Sequence, residues 1–79
     1  LLLPDEEIKQ FVQLISQNLH RLRDFPYLFP NVQDVYHLSV RTYKMNIGKQ
    51  YAIFYRVNED QKTVLIGSLF SNKQMKIAF

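Results

Sequence analysis

Gln50-Tyr51-Ala52-Ile53-Phe54-Tyr55-Arg56-Val57 is the stretch on which the fold turns. It carries three aromatic and two β-branched residues with no helical spacing, which predicts a central β-strand. Ahead of it, Tyr43-Lys44-Met45-Asn46-Ile47 alternates apolar and polar with the period of a half-buried strand. Gly48-Lys49 between them offers a two-residue turn, since glycine accepts the positive φ of a primed hairpin. Beyond it, Asn58 to Lys62 is a polar turn and Thr63 to Phe70 a third strand. The expectation is an antiparallel meander of three strands.

With Gly48-Lys49 as the turn, Ile47 faces Gln50, Met45 faces Ala52 and Tyr43 faces Phe54. Five of these six residues are apolar or aromatic, which favours that register, because a one-residue slip exchanges the two faces. The other face then carries Lys44, Asn46, Tyr51, Ile53 and Tyr55, and Arg41 falls opposite Arg56. Like charges in facing positions repel unless an anion lies between them.

Working outward, Pro4-Asp5-Glu6-Glu7 is a helix start, with proline suited to the first turn and acids to the positive end of the helix dipole. Ile8, Phe11, Val12, Ile15, Leu19 and Leu22 follow as one apolar stripe, and Lys9, Gln13, Gln17 and Arg21 turn away from it. His20, Arg21 and Arg23 complement the negative end, and Phe25-Pro26 stops the helix. The stripe reads as core: Phe11, Ile15, Leu19 and Leu22 are expected against Tyr43, Met45, Phe54 and Ile66. On that basis Leu19→Ala costs about 2–5 kcal/mol. Leu65 and Leu69 are expected on the far face, needing a separate cover. Leu1-Leu2-Leu3 reads as a packed lead-in to the helix, Pro26 to Asn31 as a rigid aromatic connection, and Asn31 to Thr42 as a loop. The fold class is α+β: an N-terminal helix packed on a three-stranded antiparallel meander sheet, one domain spanning 1–79.

Composition narrows the chemistry. The chain has no cysteine and two histidines, so neither disulfides nor a structural zinc site is expected, and no cofactor motif is present. Ten Lys and Arg against seven Asp and Glu give a net charge of +3, mildly basic and compatible with a nucleic-acid or acidic protein partner. No apolar run reaches membrane-spanning length, so no membrane partner is expected and the default is a cytoplasmic protein. Arg41, Lys44, Lys49 and Arg56 gather around the first hairpin as a candidate binding site for phosphate or for an acidic partner; a solvated charged rim is the plain alternative. Tyr51 and Tyr55 are candidates for base stacking, against the commoner role of half-buried sheet residues. His20 and His37 read as solvated or capping side chains, and the catalytic residues stay unassigned.

Phe25-Pro26-Tyr27-Leu28-Phe29-Pro30, then Tyr43-Lys44 leading into a hairpin, then Tyr51-Ala52-Ile53-Phe54-Tyr55-Arg56-Val57, resembles the RelE/ParE toxin superfamily of bacterial type II toxin–antitoxin systems. The resemblance runs from about Asp5 to Asn72 and rests on the order of the parts more than on any one string. It implies the toxin of a plasmid-stabilisation pair, held inactive by a cognate antitoxin. Members of that superfamily normally begin with a strand and a further helix, so an N-terminally truncated domain is expected, with an open sheet edge and self-association or complex formation. The ribonuclease members carry acid–base residues after the last strand, where this chain has Ser71-Asn72-Lys73-Gln74. The resemblance therefore implies a ParE-like poison of DNA gyrase, with a RelE-like endoribonuclease acting on ribosome-bound mRNA as the enzymatic alternative and a non-enzymatic interaction domain as the third.

Overall fold

The computed structural model describes residues 5–75 and 77–79; the expected roles of Leu1 to Pro4 lie outside them. Helix α1 spans Asp5–Asp24, and strands β1 (Tyr43–Ile47), β2 (Tyr51–Asn58) and β3 (Thr63–Ser71) follow, closed by a 3-10 turn at Asn72–Gln74. The sheet order is β1-β2-β3 with both pairings antiparallel, so the α+β meander is as expected.

The register is not. Tyr43 pairs with Tyr55, Met45 with Ile53 and Ile47 with Tyr51, one residue away from the two-residue-turn alignment. The hairpin loop is Gly48-Lys49-Gln50, with Gly48 at φ +66°. Gln50 stays out of the ladder and gives its carbonyl to the Asn72 N–H at 2.8 Å. All six residues of the resulting helix-side face, Tyr43, Met45, Ile47, Tyr51, Ile53 and Tyr55, are apolar or aromatic, a more uniform face than the alternative register produces. Five of them are buried together with Leu22, and Phe11, Leu14 and Ile15 pack against the cluster.

The one-residue shift moves Phe54 to the far face, where it is fully buried between Tyr36 and Phe70. The helix approaches β1 most closely, leaving the β3 side open. Leu22 is therefore buried as expected, Phe11 and Ile15 are partly covered, and Leu19 remains 37% exposed. Ile8, Val12 and Ile66 are exposed too. Leu19, Leu22, Arg23, Val64 and Ile66 line a groove of about 300 Å³ between α1 and β3.

A bulge in β3 opposite Phe54 divides that strand's faces. Leu65 pairs with Arg56 on the far side as expected, whereas Leu69 pairs with Ile53 on the helix side, correcting its placement. Gly67 occupies the bulge, and the chain's last residues cross it: the Ser68 N–H donates to the Ala78 carbonyl at 3.1 Å. At the opposite edge, Val32 donates to Thr42 and Lys44 to Pro30, so the segment after the helix caps β1.

Candidate functional site

The corrected register separates the four cations into three places. Arg56 lies beside Thr42, not Arg41: its Nε donates to Thr42 Oγ1 at 3.1 Å. The facing Arg41–Arg56 pair, which depended on the shorter turn, does not form.

Arg41 stands on the helix side, where Tyr27, Gln33, Tyr43, Asn58, Glu59 and Asp60 join it around a groove of about 590 Å³. The Tyr27 hydroxyl donates to the Glu59 carboxylate in this groove. Ionising a phenol that donates to a carboxylate forfeits the hydrogen bond and sets two anions side by side, so the Tyr27 pKa is pushed up to about 12. Such a phenol is a poor general base near neutral pH. Lys49 sits at the other end of the hairpin, with Gln50, Ser71, Asn72 and Lys73 around a hollow of about 340 Å³.

Lys44 and Arg56 remain together on the far face. They are diagonal neighbours across the β1–β2 ladder, roughly 7–8 Å apart as such positions are. Lys44 Nζ reaches the Tyr36 hydroxyl at 3.3 Å, and the Arg56 guanidinium stacks over the Phe79 ring at 4.1 Å. Both cations are half-buried, and among the described residues these side-chain partners are hydroxyls and rings. Tyr36, Thr42 and Phe79 were not legible as site residues. Two lie in the segment without periodicity, and the third is brought in by the tail's return across Gly67.

The tyrosines proposed for base stacking serve the core. Tyr55 is fully buried, lies flat on Tyr43 at 5.2 Å and donates its hydroxyl to the Pro26 carbonyl, leaving no face for a base. Burial pushes the Tyr55 phenol up as well. Tyr51 meets Phe11 edge-on at 5.1 Å.

At the end of β3, Ser71 and Asn72 are occupied with the backbone: Ser71 Oγ accepts from the Lys73 N–H, and Asn72 Nδ2 donates to the Lys49 carbonyl. His20 and His37 are exposed, the latter at φ +54° in the loop ahead of β1. Among the described residues, no group of three or more His, Cys, Asp or Glu could hold a metal ion, and no helix is long and apolar enough to cross a membrane.

A family model described as the ParE toxin of the type II toxin–antitoxin system, parDE, matches residues 4–75. No curated protein and no solved structure gives a match.

Proposed function

The chain belongs to the ParE toxin family of type II toxin–antitoxin systems, and from that premise we propose that it is a ParE-like toxin held inactive by a cognate antitoxin in a plasmid-stabilisation pair. The family match across residues 4–75 carries the reading. The toxin works in the bacterial cytoplasm by binding DNA gyrase, and it does not cleave RNA.

Two features support the choice within the superfamily. Cleaving RNA through its own 2′-hydroxyl needs a base, an acid and a cation around the scissile phosphate. Cations are available at Lys44 and Arg56, but the end of β3 offers Ser71 and Asn72, both engaged with backbone. The second feature is the uncovered apolar surface on the helix side, comprising Ile8, Val12, Leu19, Ile66 and Leu69. Apolar surface shared between a helix and a strand suits a protein partner better than a phosphate backbone, and the antitoxin is that partner.

The test is inducible expression in a bacterial host, alone and with the product of the adjacent reading frame. Growth, mRNA integrity and gyrase supercoiling are followed in parallel. The expected result is growth arrest and lost supercoiling with intact mRNA, relieved by co-expression. Cleaved mRNA would make the chain a RelE-like ribonuclease. Unimpaired growth together with no binding to the adjacent product would leave a non-enzymatic interaction domain.

A further inference from the structure

Among the described residues neither half-buried cation of the far face meets a carboxylate, only hydroxyls and aromatic rings, and these surroundings specify a ligand. Arg56 is fixed twice: Nε donates to Thr42 Oγ1 at 3.1 Å, and the guanidinium plane rests on Phe79 at 4.1 Å. Among the described residues these contacts engage only Nε and one face of the guanidinium, which leaves the two Nη groups as a pair of parallel donors. That is the geometry a carboxylate accepts bidentately. Lys44, the diagonal neighbour, is held by the Tyr36 hydroxyl at 3.3 Å and supplies a second positive charge. Ordering a long side chain is a main cost of binding through arginine, and here the fold has already met it.

The platform is itself anchored. Phe79 follows Ala78, whose carbonyl accepts from the Ser68 N–H, and the tail lies in the notch left by the absent side chain of Gly67.

The surroundings separate a peptide from a nucleic acid. Leu65, paired with Arg56 across the ladder, is 56% exposed, and further along the same face half-buried Phe70 packs over the fully buried Phe54. A strand of nucleic acid needs a row of cations along its backbone. Arg41 and Lys49 are instead on the helix side and in the distant hairpin loop. Two cations beside an exposed leucine suit alternating carboxylates and apolar side chains.

We propose that Arg56 and Lys44, with Thr42 and Phe79 holding the guanidinium, form a carboxylate-binding site for an extended acidic and apolar peptide segment on the far face of the sheet. This depends on the toxin reading only for the segment's source, the antitoxin; binding itself can be tested apart from toxicity.

The probe is a short, end-capped peptide of alternating Leu and Glu, titrated into the purified full chain while the Arg56 Nε–Hε signal is followed by NMR. A thymidine oligonucleotide of similar length is the second probe. The peptide is expected to shift the Arg56 signal. Arg56→Lys keeps the charge but loses the fork, and should weaken the peptide about tenfold or more. Phe79→Ala should weaken it roughly two- to fivefold by releasing the guanidinium plane. Thermal unfolding verifies that each variant is folded, and the wild-type signal decides the matter if Arg56→Lys is not. An unmoved Arg56 signal, unchanged affinity in folded Arg56→Lys, or tighter binding in Phe79→Ala (a tail that covers the site instead of building it) would each overturn the assignment. So would an oligonucleotide that binds as well as the peptide. Failure here with growth arrest intact removes the site and leaves the toxin; peptide binding without growth arrest does the reverse.

Discussion

At the residue scale, the Tyr27–Glu59 hydrogen bond spans the sequence from the end of the helix to the β2–β3 turn and gives the protein a pH signature. The folded-state pKa of Tyr27, about 12, stands above the ordinary value of 10.0. A raised pKa means the folded chain binds that proton more tightly than the unfolded chain. The resulting stability is fully present below pH 10 and is lost as pH rises from about 10 through about 12. Wild type should therefore lose more stability across that window than Tyr27→Phe, read from urea midpoints at successive pH values. Parallel curves would show that the phenol and Glu59 are not coupled in solution. Nothing in the sequence pairs Tyr27 with Glu59, because neither lies in a periodic stretch and the contact exists only once the helix has crossed the sheet. Lys44 and Arg56 were legible as residue types near one hairpin, while their separation from Arg41 and Lys49 was not.

At the scale of elements, helix, strands and order were all legible, because hydrophobic period depends only on neighbours along the chain. The register depended on one turn residue. Gln50 could close a two-residue turn or extend it to three, and the backbone bond from Asn72 that engages its carbonyl comes from the far end of β3. The helix stripe overpredicted burial for a related reason. Its width was evident from Ile8 to Leu22, but which flank meets the sheet is set by the helix lying toward β1. Two substitutions separate the flanks. Leu22→Ala removes a side chain that is 3% exposed at the centre of the core, and should cost about 2–5 kcal/mol. Leu19→Ala, on the open flank, should cost no more than about 1 kcal/mol in the isolated chain. Equal losses in chemical denaturation would place the helix elsewhere. Leu19→Ala should hurt more once the antitoxin is bound, if that flank is the covered one.

At the scale of the whole molecule, the sheet is partly covered on both sides, by the helix on one and by Tyr36 and the returning tail on the other. Gly67 is the point on which the second cover depends. A side chain built there would put its Cβ 2.6 Å from the Ala78 carbonyl oxygen and 2.9 Å from that of Phe54. Both are backbone atoms, so neither can step aside by changing rotamer. Gly67→Ala must therefore lift the tail, distort the bulge, or do both, at a cost on the order of 1–3 kcal/mol. Faster hydrogen exchange at the Ser68 amide should accompany the loss, since that amide donates to Ala78. Removing Ala78 and Phe79 isolates the two clashes: in the shortened chain the contact with Ala78 is gone while the contact with Phe54 remains. Gly67→Ala should then cost less than in the full chain but still be destabilising, and the difference is the coupling between tail and bulge. A substitution equally costly in both backgrounds would mean that the tail does not press on Gly67. A full-length variant of unchanged stability and unchanged Ser68 protection would remove the notch from the account of the fold, and with it the anchoring of Phe79 beneath Arg56.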